Sequence, residues 1–497
     1  MKLSTNPTTN KQYIVPDELD DSDGINRFLE SNRSRKIIVV QGLGFVGAVM
    51  CLVCANAPGN NYAVIGIDLP DENTYWKIRT LNEGVFPLTA EDPKIEQFYR
   101  EALRKNVFYA TYDTYAYSVA DVIIVDINLD VQKHSDPQME LLGYDVDLSG
   151  FKKAMMTIGD NCKESALVLV ETTVPPGTCE KVVFPILTEK LKLRGLSAEK
   201  LLLGHSYERV MPGPQYIDSI QSFYRVYSGI DERSAIATEA FLRTIIRTDE
   251  YPLTRLGNTK ATEMAKVLEN SYRAMNIAFI VEWSRFAEEA GVNLYEVVRA
   301  IRMRPTHSNM MLPGVGVGGY CLTKDPLLAS WSRQNFFGSD SALRQSEVAV
   351  AINDKMPEFA FRHFNLQFKQ SLKSKSVLFL GVSYRGDVGD TRYAPAALLF
   401  DCFSSAEAKV TLHDPYVNFW EEKQLKVETN LDVALSCHPT VLIISAGHSL
   451  YKGAQFVDAL LALPPLFLYD TLGMFSESEL STLQRTHTVN SLGRGDI

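Results

Sequence analysis

The first strong pattern in the chain begins at Lys36, where KIIVVQGLGFVG runs apolar through four positions and then breaks into glycines. A continuous apolar run closed by turn residues reads as a strand buried on both faces. AVMCLVCANA follows with helical composition, and YAVIGIDLP returns to a buried strand, so the order is strand, helix, strand. DVIIVDI (121–127) and SALVLVETTV (165–174) are further buried-type strands, preceded by helical stretches at 94–104 and 148–158. This alternation predicts a parallel, doubly wound α/β sheet.

Between Thr259 and Gly291 there is no glycine or proline, and Met264, Leu268, Tyr272, Met275 and Phe279 recur at spacings of three or four. That spacing predicts one long amphipathic helix tying the domains together. A second glycine-marked unit opens at KSVLFLGVSYRGD (375–387), continues through the helical APAALLFDCFSSA and the strand KVTLHDP, and ends with TVLIISAG and PPLFLYDTLG. The fold class is therefore α/β, with two Rossmann-like doubly wound domains joined by a long central helix. The expected boundaries are a polar N-terminal tail at 1–34 with one short helix around Ile25 to Leu29, a dinucleotide domain at 35–230, a helical middle at 231–350 and a second α/β domain at 351–497.

Length and composition agree with this division, since 497 residues exceed what one core organises, and 45% hydrophobic with 22% charged residues is ordinary for globular chains. A formal net charge of -10 disfavours sequence-independent nucleic-acid binding, so any phosphate site must be local. Seven cysteines form no repeated metal-ligand spacing, and Cys51 and Cys54 lack a second pair, which favours reduced thiols in the cytoplasm and no metal. No uncharged stretch reaches the roughly 18 residues of a membrane span, and none follows the N-terminal basic residue as a secretory signal would.

Gly42, Gly44 and Gly47 form G-x-G-x-x-G with Leu43, Phe45 and Val46, directly after a strand and before a helix. The glycines permit the tight turn and close approach of a pyrophosphate, which the helix N-terminus attracts. Asp68 closes the next strand, 21 positions beyond Gly47, where a carboxylate accepts from both ribose hydroxyls and selects NAD over NADP. Taken alone, Asp68 also suits a strand-end turn.

PGVGVGGYCLTKDP (313–326) places Cys321 after a glycine-rich loop, with Lys324 and Asp325 just beyond it. The other six cysteines read as small buried hydrophobes, whereas this polar, lysine-flanked setting stabilises a thiolate. Lys266 and Asn270, four apart on the long helix, project from one face and can contact a single oxygen, although a solvated helix face has the same spacing. Glu208, in SYERVMPG, is by itself any surface acid.

With these pieces in order, the chain resembles the UDP-glucose/GDP-mannose dehydrogenase family from about Lys36 to His448. GLGFVG, IGIDL, LNEGVFPL, ETTVPPGT (171–178), YERVMPG (207–213), AKVLENSYRAMNIAFIVE (265–282), GVGGYCLTKDP (316–326), LGVSYRGDVGDTR (380–392) and HDP (413–415) carry the resemblance. It implies NAD-dependent, four-electron oxidation of the carbon-six primary alcohol of a nucleotide sugar to a uronic acid, feeding polysaccharide biosynthesis. By the resemblance Cys321 is the nucleophile, Lys266 and Asn270 stabilise oxyanions, and Asp325 and Glu208 assist proton transfer through water. Thr173 and Arg392 join the glycine loop and Asp68 in holding the cofactor. Gly318, Gly319, Tyr384 and Arg385 line the substrate, whose nucleotide belongs to the C-terminal domain, with the chemistry in the cleft between the domains. The resemblance also implies a homodimer through the central helix.

Four departures bear on this. Where many members carry P-T-P with a catalytic threonine, this chain reads Ile127-Asn128-Leu129-Asp130, so a water or Asn128 replaces the hydroxyl or the alignment slips. A second glutamate of glucose-specific members falls at Pro212, a form associated with oxidation of N-acetylated hexosamines, which tilts the substrate toward a UDP-N-acetylhexosamine. Tyr320 replaces the smaller or imidazole residue usual before the cysteine, and the family's intersubunit arginine has no clear match, with Arg304 and His307 both near. UDP-glucose and GDP-mannose stay open as substrates. A two-electron hydroxy-acid dehydrogenase has no use for Cys321 or a third domain, and a silent nucleotide-sugar binder has no need of Cys321, Lys266, Asn270 and Asp325 together.

Overall fold

The computed structural model describes residues 2–7, 9–59, 61–87, 92–135, 141–209 and 213–497. The chain forms two compact units, one of Met1–Gln132, Asp145–Val267 and Trp331–Ser339, the other of Lys133–Tyr144, Leu268–Ser330 and Asp340–Ile497.

The first unit is built on an eight-stranded sheet in the order Thr254–Arg255, Val226–Gly229, Leu202–His205, Leu167–Val170, Val122–Val125, Lys36–Gln41, Tyr62–Ile67, Phe108–Thr111. Lys36–Gln41 pairs in parallel with Tyr62–Ile67 on one side and Val122–Val125 on the other, so the strand order reverses there. Ligands of open α/β sheets bind beyond the carboxyl ends of the strands at such a reversal. The sheet is not wholly parallel, because Val226–Gly229 runs antiparallel to Leu202–His205 and brings Thr254–Arg255 with it at the edge. The helix Phe45–Ala55 is buried at nine of its eleven positions, which explains why its sequence is apolar all round.

The first 34 residues hold more structure than their polar composition suggested. Leu3–Thr5 and Gln12–Ile14 pair as a hairpin, and Ser22–Glu30 is helical. Tyr13, Val15, Ile25 and Phe28 are buried, and the Asp21 carboxylate accepts from the hydroxyls of Tyr109 and Thr111. Strands of three residues are too short to show a period of two, so long-range partners, not local pattern, order this segment.

The second unit carries five parallel strands in the order Lys409–His413, Ser376–Leu380, Val441–Ile444, Phe467–Asp470, Thr488–Ser491. Its first strand, Ser376–Leu380, again lies between two later ones, giving a second reversal point.

The central helix spans Thr259–Ala290, 32 residues, and passes from the first unit to the second after Val267. Its buried face is mostly of small or branched residues, Val267, Ala274, Ala278 and Val281. The larger apolar residues read from the sequence lie elsewhere: Met264, Leu268, Tyr272 and Phe279 are exposed, and Trp283 and Phe286 extend the same stripe. Periodicity identifies an apolar stripe without saying what covers it.

Candidate active site

In the first unit the glycine loop meets the expected steric demands. Gly42 has φ +96°, and a Cβ there would lie 2.1 Å from the Asp126 carbonyl oxygen, while one at Gly47 would lie 1.9 Å from that of Gly42. A Cβ at Gly44 would meet nothing within 4 Å among the described residues, and Gly44 is the N-cap of the helix beginning at Phe45 and Val46. Two glycines thus shape the turn and the third leaves room over a helix N-terminus, which suits a pyrophosphate. Asp68 accepts from the Leu43 N–H at 3.0 Å through Oδ2 and from the Leu69 N–H at 2.8 Å through Oδ1. Burial raises its pKa above the ordinary carboxylate value. The carboxylate is fixed beside the loop with lone pairs to spare for ribose hydroxyls, so the residues present fit NAD.

Thr173 is half-buried in the loop after Leu167–Val170. That loop is anchored by Glu263 of the central helix, which accepts from the N–H groups of Gly177 at 2.6 Å and Cys179 at 2.7 Å. Burial pushes the Glu263 carboxyl up to about 7. The neighbouring Thr172 hydroxyl accepts from the Ile127 N–H at 3.0 Å. A hydroxyl therefore stands against the 127–130 segment, where Asn128 is exposed and Leu129 buried. Pro212 lies outside the described residues.

Lys266 donates to the Glu208 carbonyl oxygen at 2.9 Å, lies 3.8 Å from Oε1 of the same residue, and sits over the Tyr207 ring. Both side chains are about nine-tenths buried. Around them is a cluster that the sequence reading missed. Arg225 and Glu171 form an ion pair that is almost wholly buried, and Arg225 also donates to the Ser206 carbonyl. Asp126, half-buried just past the end of its strand with Oδ2 enclosed, has its pKa raised by burial and then by Glu171 and Glu208. Burial, with Arg225 and Lys266 adding, lowers the His205 imidazole to about 3. Asp126, Glu171 and His205 each sit at or just past the end of adjacent parallel strands, a clue available only once the strands are paired.

In the second unit Cys321 is exposed, whereas Cys51, Cys54, Cys162 and Cys179 are buried and Cys402 and Cys437 half-buried. The Cys321 carbonyl accepts from the N–H groups of Lys324 and Asp325, so the nucleophile candidate sits on the turn that opens the helix Asp325–Asn335. Asp325 is fully buried, with Oδ2 taking the Asn270 amide at 2.6 Å and Oδ1 the Lys324 ammonium at 2.9 Å. Lys324 also lies over the Tyr320 ring, 4.4 Å from its centroid.

The glycines before Cys321 are demanded by a neighbour within the unit. A Cβ at Gly318 would lie 2.6 Å from Tyr384 Cβ, and one at Gly319, with φ +82°, 2.9 Å from the Tyr384 ring. Gly319 donates to the Arg392 carbonyl at 3.1 Å. The Arg392 guanidinium is held by Asp390 through two bonds, of 2.9 and 2.7 Å, and sits 5.5 Å from the Tyr320 ring centroid. This ion pair lies within the unit itself, and Arg392 is also close enough to interact electrostatically with Cys321. Arg385 is exposed. The loop carrying Tyr384 and Arg385 is pinned by Asp414 of the HDP motif, whose Oδ2 accepts from the N–H groups of Val382 and Ser383 and lies 3.1 Å from His448 Nε2.

Residues 36–245 match the NAD binding domain of the UDP-glucose/GDP-mannose dehydrogenase family, residues 260–355 its central domain and residues 378–477 its UDP binding domain. The chain is 28% identical over 465 residues to a UDP-N-acetyl-D-mannosamine dehydrogenase of Pyrococcus horikoshii, covering 93% of this chain and 100% of that one. A solved structure of the UDP-D-ManNAc dehydrogenase from Pyrococcus horikoshii superposes with TM-score 0.75 at 25% identity, covering 93% of this chain and 100% of that one. The NDP-N-acetyl-D-galactosaminuronic acid dehydrogenase of Methanosarcina mazei Go1 superposes with TM-score 0.73 at 25% identity, covering 95% and 98%. The dinucleotide loop, the exposed cysteine on the turn held by the Asp325, Asn270 and Lys324 cluster, and three successive domain matches place this chain in the UDP-glucose/GDP-mannose dehydrogenase family, as an NAD-dependent nucleotide-sugar dehydrogenase.

Proposed function

We propose that the chain oxidises the carbon-six primary alcohol of a UDP-N-acetylhexosamine to the carboxylate on Cys321, serving polysaccharide biosynthesis in the cytoplasm. The observation that carries this reading is the exposed Cys321 set on the same turn as Asp325, which gathers Asn270 and Lys324 beneath it. The N-acetylated sugars named for the Pyrococcus and Methanosarcina relatives support the substrate class. So does Pro212 in place of the second glutamate.

NAD would be held by Gly42, Gly44, Phe45, Val46, Gly47, Asp68, Thr173 and Arg392, and would supply the hydride acceptor for each of the two oxidations. Once the alcohol has become an aldehyde, the Cys321 thiolate adds to its carbon, and the carbonyl oxygen takes up a proton to give a thiohemiacetal. The second oxidation leaves the sugar as a thioester on Cys321. Water then adds, the carbon–sulfur bond breaks, and the carboxylate departs with the thiolate restored. Lys266 and Asn270 donate to the tetrahedral oxyanions, each donor contributing ~2.7–4 kcal/mol in such sites. Glu208 retains slight exposure and positions the water, whereas fully buried Asp325 acts as the positioning residue for Asn270 and Lys324. Gly318, Gly319, Tyr384 and Arg385 line the sugar nucleotide.

The functional divisions are 35–230 for NAD, 231–350 for the catalytic loop and assembly, and 351–497 for the nucleotide. Assembly is a homodimer through the central helix, whose exposed large apolar residues are a stripe of the kind that marks an interface. The test is NADH yield from limiting UDP-N-acetylmannosamine, UDP-N-acetylgalactosamine, UDP-N-acetylglucosamine, UDP-glucose and GDP-mannose. Two equivalents from an N-acetylated sugar is the expected result; one equivalent contradicts the covalent course, and none from any sugar points to a silent binder. Cys321→Ser is expected to abolish complete turnover while NAD binding persists, and normal acid production by that variant would remove Cys321 from the reaction.

A further inference from the structure

The second unit contains a pocket of about 300 Å³ made by residues that take no part in the chemistry above. Arg285, Glu288 and Glu289 of the central helix line it with Phe359, Arg362 and His363 of the helix Arg344–Phe368. The Arg285 guanidinium sits over the Phe359 ring, 4.8 Å from its centroid. Its Nε and Nη2 are buried and have no hydrogen-bond partner among the described residues. Those two nitrogens share the edge with which a guanidinium grips a carboxylate or phosphate through paired bonds.

Three further features of the lining point to an acidic ligand. Arg285 has its pKa lowered by burial and then by repulsion from Arg362, and the nearby carboxylates of Glu282 and Glu288 only partly offset this. Glu288, with a side chain only 3% exposed, accepts the Gly493 N–H at 2.6 Å through Oε1, while Oε2 has no hydrogen-bond partner among the described residues and lies 3.7 Å from His363 Nε2. Burial pushes the Glu288 carboxyl up to about 7, so much of it carries a proton at neutral pH and can donate. With that proton in place the lining presents two guanidinium charges against the one carboxylate of Glu289.

We propose that this pocket is a binding site for an oxyanion, a carboxylate or phosphate group, gripped by the Nε and Nη2 edge of Arg285 and neutralised by Arg362. The site is separate from the exposed apolar stripe, because Arg285 and Glu288 belong to the flank of the helix that meets Arg344–Phe368. It also owes nothing to the identity of the sugar.

Calorimetric titration of the full-length protein with inorganic phosphate and with malonate, at matched ionic strength in chloride, tests it. Saturable binding is expected, weakened about tenfold or more by Arg285→Lys, which keeps the charge and loses the paired edge. Arg362→Gln, at an exposed position where folding is not at stake, is expected to weaken binding several-fold with NADH formation unchanged. Tighter binding of phosphate or of malonate assigns the group. Phosphate bound at the dinucleotide loop survives in both variants, so titrations identical in all three proteins, or no saturable binding of either anion, overturn the proposal.

Discussion

The Asn270 amide donates to Asp325 Oδ2 across 2.6 Å, and the opposite oxygen of the same carboxylate holds Lys324 at 2.9 Å. One fully buried acid thereby ties the central helix to the turn that displays Cys321. The arrangement leaves Asn270 its second amide proton for an oxyanion, and gives Lys324 a countercharge where it would otherwise be buried alone.

Asp325→Asn removes that countercharge while keeping the shape. Breaking a buried pair on one side costs about 3–5 kcal/mol, so the melting temperature should fall. Because Asn270 also loses its anchor, kcat should drop on the order of a hundredfold with the KM for NAD little changed. Steady-state kinetics beside a thermal melt decide it: an unchanged kcat would mean that Asp325 serves folding only.

Asp68→Asn keeps the size of the side chain and halves its capacity as an acceptor. The KM for NAD should rise about tenfold with kcat within about twofold, since hydrogen bonds from ribose to a charged partner are among the stronger ones. Equal KM values in the two proteins would mean that Asp68 only braces Leu43.

Glu263 couples stability to pH. Its folded-state pKa of about 7 lies above the ordinary glutamate value of 4.5, so between those values the folded chain binds more protons than the unfolded one. The stability this contributes is fully present below about 4.5 and is lost as pH rises through about 7, amounting to roughly 3 kcal/mol at most. Urea unfolding at pH 5 and pH 8 should therefore show the wild type losing ground to Glu263→Gln at the higher pH. A difference between the two proteins that does not move with pH would rule out this titration.

Phe279→Asp with Trp283→Asp places two charges in the exposed stripe of the central helix. Light scattering should give twice the chain mass for the wild type and the single-chain mass for the double variant, with secondary structure retained. A monomeric wild type would leave the stripe without the partner assigned to it.

Much of the fold was legible because it is local. Gly42 to Gly47 and Asp68 lie within one strand, helix, strand stretch, and glycine spacing there is imposed by distances of a few ångströms. Cys321 stood out for a related reason, being the one cysteine in a polar, glycine-rich run. Less of the site's support could be read. Glu263 and Cys179 are 84 positions apart, Arg225 and Glu171 are 54 apart, and neither pair carries a spacing that a chain scan would notice. The tail hairpin was hidden by strands too short to repeat.

Strand and helix periodicity, the dinucleotide loop and the choice of Cys321 as the candidate nucleophile could be read from the amino-acid sequence alone, since each depends on residues that touch neighbours near in the chain. Tertiary structure decided which face of the central helix is covered, why Gly318 and Gly319 must be glycine beside Tyr384, and that Arg392 rests on Asp390. It also decided that Asp325 is buried and Glu208 is not wholly so. Burial and charge environment are properties of what surrounds a side chain in space, and residue type and spacing do not contain them.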